Sequence, residues 1–347
     1  MPRKSKEPNP WGPSWLREEK FSPMDLFTRS LALLVANELG VFECLSDGPL
    51  SLSEIATRLK TDSKGTRILL DALVVLNYLV KTGAEYRNAP DSARFLTRAS
   101  PEYIGTRLSH SYEGLVRWLR LEDLLRKGQK YKHKLPEFQR DEAEERRRSR
   151  SFALGLAQSS RKTAQKIANM LDLSDVDKLL DLGGGAGTYS IAFARKWPKL
   201  RPVLFELPVP AKVARQQIKK ERFADRISIR AGDFLKDDLG QEAYDAVFMS
   251  NIIHIYSPET NRKLLRKVYR ALRSGGRIFV KDLMVNDDRS GPFYPVMFAL
   301  TMLMFTEEGD TYSASEVKGW LKELGFSRIK YQTVIPHESY LVTANKS

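Results

Sequence analysis

Asp181-Leu182-Gly183-Gly184-Gly185-Ala186-Gly187 lies just past the middle of this 347-residue chain and joins an acid to a run of glycines. Such a pattern suits a ligand of nucleotide type. Glycines on a strand-to-helix turn let a ligand approach the backbone and meet the free N–H groups of a helix N-terminus. A second acid, Glu206, follows the apolar run Pro202-Val203-Leu204-Phe205. At a strand end its carboxylate can accept hydrogen bonds from a ribose diol. The spacing does not match a dinucleotide-binding turn, G-x-G-x-x-G/A, because from Gly183 the last position falls on Thr188.

These residues need a sheet to hold them. Val176 to Leu182 reads as a buried strand, and Thr188 to Lys196 as a helix stopped by Trp197-Pro198. Further strands are expected at 202–206, 227–230, 244–249 and 276–283, with helices between them. That alternation is the rhythm of a doubly wound, mostly parallel α/β sheet. Phe326 to Val334 and Ser339 to Thr343 flank Pro336 and read as a hairpin, giving the sheet an antiparallel edge. Ligands in open α/β sheets sit at the carboxyl ends of the strands. Those ends carry the candidate cofactor-binding residues Asp181, the glycines and Glu206, then Gly232-Asp233-Phe234, Ser250-Asn251 with His254, and Lys281-Asp282. Asp233 can accept from an adenine amino group while Phe234 packs on the ring, and Ser250 joins the same cofactor-binding set.

The first third differs. Apolar residues recur at helical spacing from Pro23 to Leu39, and Gly40 stops the run. Ser51 with Glu54 forms a capping box for a short helix to Leu59. A longer helix is expected from Lys64 to Leu79, then a small β-wing at Glu85-Tyr86-Arg87-Asn88. Helix, turn, helix and wing describe an N-terminal, essentially helical winged-helix domain. DNA reading would need Arg, Lys, Asn or Gln on the exposed face of the second helix. Asp62 and Asp71 flank Lys64 and Arg67, and Leu70, Val74 and Val75 leave little polar face. A helix apolar nearly all round is a buried one, so it is expected in a subunit interface. The expected organisation is an arm at 1–19, a winged-helix dimerisation domain at 20–95, linking and pocket helices at 96–172, and the cofactor domain at 173–347. Tyr112 and Trp118 are read as core aromatics of the linking helices.

Composition narrows the classes. With 42% hydrophobic and 29% charged residues the chain reads as globular. No apolar run approaches the ~18 residues of a membrane span, and no apolar segment follows the basic N-terminus as in a secretory signal. A cytoplasmic protein is expected. The single cysteine, Cys44, is expected buried, and four scattered histidines lack metal-ligand spacing, so no metal is expected. The net charge of +14 raises the question of nucleic acid, but the excess is divided, six in residues 1–150 and eight beyond. The densest cluster, Arg117 to Lys134, and the run Arg140 to Arg150 read as solvated helix faces. Nucleic acid is not the expected partner.

The motifs D-L-G-G-G-A-G, L-F-E-L-P, A-G-D-F, S-N-I-I-H and G-G-R-I-F-V-K-D stand in an order and spacing that resemble the plant-type and acetylserotonin-type small-molecule O-methyltransferases. The likeness covers roughly residues 20–345. It implies S-adenosylmethionine as cofactor, a class I methyltransferase sheet, a winged-helix dimerisation domain and a small-molecule acceptor. It places the family's general-base histidine at His254 and the acid orienting it at Asp282. Two positions depart from the pattern: Ile255 stands where an acid often follows the histidine, and Thr311 where a second acid is expected. An orienting carboxylate holds a catalytic imidazole in one tautomer, so Asp282 is left to act alone. Phe293, Met297, Phe298, Met302, Met304 and Phe305 are candidate pocket walls. The function expected is methyl transfer to a hydroxyl of a small aromatic acceptor by a homodimer. Transfer to carbon or nitrogen, and a nucleic-acid-binding protein or RNA methyltransferase, are the alternatives.

Overall fold

A computed structural model describes residues 23–139 and 141–347. The expected N-terminal arm and Arg140 therefore lie outside the described residues. Packing divides the chain between Glu113 and Gly114, within one helix rather than at the expected linker near 95.

In the first unit, α1 (Pro23–Leu39) leads to α2 (Val41–Cys44), β1 (Leu50–Ser51), α3 (Leu52–Leu59) and α4 (Ser63–Val75). Both caps are built from side chains. Ser51 and Glu54 close the capping box of α3, and Asp62 accepts the Gly65 N–H at 2.7 Å to start α4. β2 (Leu79–Thr82) and β3 (Glu85–Asn88) form the wing, and β1 joins β3 as a third strand. α4 ends four residues before the expected Leu79, because Asn77 turns left-handed at φ 60° and the chain enters the wing. Leu70 and Leu73 are fully buried, whereas Ile68 and Val75 of the same helix are 53% and 80% exposed. Leu26, Phe27 and Leu39 of α1 are also exposed. Cys44 is only half-buried, since it ends a one-turn helix. α5 (Pro90–Phe95) precedes α6 (Gly105–Trp118), which carries the division between the units. Tyr112 on α6 is exposed, not core.

The second unit begins with α7 (Leu121–Lys127) and α8 (Glu142–Met170). The first turns of α8 carry the alternating acids and arginines. Then come β4 (Lys178–Leu182), α9 (Thr188–Lys196), β5 (Arg201–Glu206), α10 (Pro208–Lys220), β6 (Ser228–Ala231), β7 (Tyr244–Ser250), α11 (Pro258–Ala271), β8 (Leu272–Val285), α12 (Phe293–Phe305), β9 (Tyr312–Ser313), α13 (Ala314–Glu323), β10 (Phe326–Ile335) and β11 (Ser339–Lys346). Among the described residues these strands form one eight-stranded sheet in the order β10-β11-β8-β7-β4-β5-β6, with β9 beside β8. β4 to β8 are parallel and the β10–β11 hairpin is antiparallel.

Both sheet faces are covered, so the central strands are apolar on both sides. Leu264, Leu265 and Val268 of α11 and Val317, Trp320 and Leu321 of α13 cover one face. Ala164 and Ile167 of α8 and Tyr189 and Phe193 of α9 cover the other. The chain runs outward from β4 through β5 to β6, then returns to lay β7 on the other side of β4. The topological switch point therefore lies at the carboxyl ends of β4 and β7, where such folds bind ligands. No helix among the described residues is long and apolar enough to cross a membrane.

Candidate functional site

At the end of β4 the backbone turns through Gly183 (φ 70°) and Gly185 (φ 56°), conformations that L side chains rarely adopt. A Cβ on Gly183 would stand 2.3 Å from Ile252 Cδ1. One on Gly184 would stand 2.8 Å from both Asp181 and Leu204. Beside Gly185 there is open space, with nothing within 4 Å of the Cβ position. The turn thus packs closely on its inner side and is free on its outer side, as a ligand cradle requires. Glu206 closes it from β5. Its Oε2 accepts the Gly185 N–H at 2.8 Å and its Oε1 the Leu207 N–H at 2.7 Å. Each oxygen keeps acceptor capacity, and burial pushes the carboxyl above its usual range.

Asp181 lies below the turn, buried, and accepts the Ser190 hydroxyl at 2.6 Å. Burial, more than the nearby Glu206 charge, pushes it up to about 6. Its carboxyl lies against the turn, 2.8 Å from the position a Cβ on Gly184 would take. Asp233 follows β6; its Oδ1 accepts the Leu235 N–H at 3.0 Å and its Oδ2 lies 3.3 Å from the Lys236 ammonium. Phe234 is buried edge-on against Phe205 and Tyr256, close to Gly183. Ser250 ends β7, and among the described residues its buried hydroxyl has no hydrogen-bond partner; the nearby Tyr189 hydroxyl is pushed up to about 12 by burial.

His254 sits on a single 3₁₀ turn, Ile253–Ile255, and is buried. Its Nδ1 lies 2.6 Å from Asp282 Oδ1. Asp282 does not end its strand as expected: β8 runs three residues further because β9 pairs with Met284 and Val285. The carboxylate is fully buried and also accepts N–H groups from Ile253 at 3.1 Å and Leu283 at 2.8 Å. A carboxylate at Nδ1 makes that nitrogen the donor and leaves Nε2 with its lone pair. The Phe298 ring stands edge-on to the imidazole, centroids 5.1 Å apart. Of the other expected pocket walls, Met302 and Met304 are buried, Met304 against Leu124 and Leu135. Met297 borders a cavity of about 660 Å³ whose walls do not include His254. Thr311 is fully buried beside Asp310, whose N–H donates to the His254 carbonyl at 3.0 Å; among the described residues the Thr311 hydroxyl has no hydrogen-bond partner.

The sequence reading missed Ser190 and Asn261, which gives its amide to Ile253 O at 2.8 Å and Tyr256 O at 3.0 Å. Both are polar residues on the inward faces of helices, a signal that helical spacing carries. The basic cluster is matched within the fold. Arg117 is buried against the Glu137 carbonyl, Arg120 pairs with Glu137, Arg126 with Glu122, Lys127 with Asp123, and Lys132 and His133 with Glu307.

The parallel sheet, the glycine turn and the acid ending the second strand together define a class I S-adenosylmethionine-dependent methyltransferase. An O-methyltransferase domain model matches residues 118–327, and an O-methyltransferase dimerisation domain model matches 21–98. A 3-hydroxy-5-methyl-1-naphthoate 3-O-methyltransferase of Streptomyces sahachiroi is 33% identical over 87% of this chain and 87% of its own. An N,N-dimethyltransferase of Streptomyces rimosus is 31% identical over 86% of this chain and 88% of its own. The human N-acetylserotonin methyltransferase, solved in complex with S-adenosylmethionine, superposes with a TM-score of 0.80 at 25% identity, covering 95% of this chain and 99% of that one. The chain belongs to the O-methyltransferase family, and S-adenosylmethionine is its methyl donor.

The buried Asp181 gives a stability test. Its carboxyl titrates higher in the folded protein than in the unfolded chain, so the folded state holds the extra proton between pH 3.8 and about 6. Stability contributed at this position therefore falls as pH rises through that window, and the loss is complete above it. Chemical denaturation of the cofactor-free protein at several pH values is expected to show this fall in the wild type relative to Asp181→Asn. A constant difference between the two would contradict the burial effect.

Proposed function

We propose that this enzyme methylates a hydroxyl of a small aromatic acceptor, with His254 as general base and Asp282 as the acid that orients it. The observation carrying this reading is the 2.6 Å contact between His254 Nδ1 and Asp282 Oδ1, which leaves Nε2 free to accept a proton. Bound S-adenosylmethionine supplies an electrophilic methyl group on a sulfonium cation. In this reading the Gly183-Gly184-Gly185 turn and Glu206 hold its ribose and backbone-facing edge, Asp233 and Phe234 its adenine, and Ser250 completes the cradle, while Asp181 fixes the turn. A phenol with a pKa near 10 is mostly protonated at neutral pH and is a weak nucleophile. His254 takes that proton at Nε2, and the Asp282 charge stabilises the resulting imidazolium. Phe298 against the imidazole supports an aromatic acceptor, as does the naphthoate named for one relative. Transfer to nitrogen is favoured by one relative's name and by Ile255 and Thr311, which supply no second acid.

His254→Ala is expected to lower turnover by about a hundredfold or more while cofactor affinity stays within a few-fold. Asp282→Asn is expected to cost less and to shift the acidic limb of the pH–rate profile. Steady-state rates with labelled cofactor and a panel of phenols, catechols and amines check both. A His254 variant that keeps most of its activity would eliminate this base.

Glu206→Ala removes charge-assisted hydrogen bonds worth on the order of 1.5–3 kcal/mol, or about tenfold in affinity and more. Calorimetry with adenosylhomocysteine reads that change directly, and unaltered binding would remove Glu206 from the cofactor site.

The same proposal includes a homodimer formed through the first unit. Exposed Leu26, Phe27, Leu39, Ile68 and Val75 support it, since apolar residues of this size favour a partner surface. Light scattering is expected to give a mass near twice 39.6 kDa, and a monomer with full activity would refute it.

A further inference from the structure

Lys281 is buried within β8, next to Asp282, and its ammonium donates to Asn251 Oδ1 at 2.8 Å. Among the described residues no carboxylate forms an ion pair with it, and burial pulls its pKa down. Asp282 and Glu338 attract it only through their charge, so a buried ammonium whose direct partner is a neutral amide is costly, and an apolar side chain of the same length would avoid the cost. The same two residues are joined a second time through the main chain, where the Asn251 N–H donates to the Lys281 carbonyl at 2.9 Å.

Asn251 has φ 59°, the left-handed region that asparagine visits more readily than most residues. This reversal turns the chain out of β7 and into the 3₁₀ turn that carries His254 three residues on. Two other side chains hold the turn further along: Asp282 at Ile253 N–H and His254 Nδ1, and Asn261 at the Ile253 and Tyr256 carbonyls. Lys281 holds its beginning.

Resting on the reading of His254 as base, we propose that Lys281 is a positioning residue which, through Asn251, fixes the backbone reversal that aims the His254 imidazole. Lys281→Met keeps an unbranched chain and removes the ammonium. Asn251→Gly removes the acceptor and leaves a residue at ease at positive φ, so it carries the test should the first variant not fold. Asn251→Asp keeps an acceptor for Lys281.

Ring-nitrogen spectra of histidine-labelled protein, without acceptor, report the imidazoles of His110, His133, His254 and His337, with His254 assigned from the His254→Ala variant. Lys281→Met and Asn251→Gly are each expected to move the His254 resonances and leave the other three in place. Their kcat is expected to fall about ten- to a hundredfold, as for a misplaced reacting group, while KM for S-adenosylmethionine changes by no more than about twofold. Asn251→Asp is expected to recover part of the turnover lost with glycine. Unmoved His254 resonances in both variants would overturn the proposal. So would a loss from Lys281→Met that is as large in the His254→Ala background as in the wild type. If His254→Ala alone retains turnover, the base assignment fails, and the resonances still decide whether Lys281 sets the ring.

Discussion

Three buried carboxylates sit at the carboxyl-terminal side of this sheet, and neither Arg nor Lys pairs with any of them among the described residues. Asp181 on β4 takes a serine hydroxyl, Glu206 on β5 two backbone N–H groups, and Asp282 on β8 two backbone N–H groups and an imidazole. Buried charge held by neutral donors costs more than charge held by cations. The raised titration of Asp181 and Glu206 records that cost. What the fold gains is direction. Glu206 ties the glycine turn to the start of α10, Asp282 holds the histidine turn, and Asp181 holds the Ser190 side chain of α9. The fold also gains a negative potential at the switch point, which suits a donor carrying a positive sulfonium. A guanidinium neutralising any of the three would weaken that preference.

Much of this was legible in the sequence, for a physical reason. Parallel strands buried on both faces read as short apolar runs, and β4, β5, β6 and β7 lie within two residues of where those runs place them. The glycine turn was legible because few residue types other than glycine fit its left-handed backbone, and Glu206 because an acid ending an apolar run stands out. Less legible was anything set by a neighbour distant in sequence. β8 continues past Asp282 because β9, about thirty residues later, extends its edge. The outward turn of Ile68 and Val75 shows the limit of periodicity, which finds an apolar face but cannot say whether the same molecule covers it.

The positive charge of the chain is the clearest case where a residue count misleads. Arg117 and Lys132 look like members of a basic surface, yet both are buried. Arg117 lies over Phe138 and Phe305, and Lys132 donates to the Thr306 carbonyl at the end of α12. Gln129 joins it there, donating to the Met302 and Thr306 carbonyls. These residues supply the donors that the last turn of a helix lacks. In doing so they anchor the helix that carries Phe298 to the imidazole. Two members of a cluster that composition assigns to solvent are thus buried, while Arg126, Lys127, Lys130 and Lys134 do face solvent.

With Ile255 and Thr311 in place of acids, everything that orients His254 by charge rests on Asp282. A single carboxylate can fix the tautomer, because one hydrogen bond at Nδ1 suffices to leave the Nε2 lone pair free. It cannot by itself fix the ring in space, because a contact at one atom still permits rotation about it. The remaining constraint must come from groups that do not touch the imidazole nitrogens. Phe298 presses on the ring from one side, and the backbone of the turn is fixed at Ile253 by Asp282 and Asn261. Packing and backbone bonds thereby replace a second carboxylate.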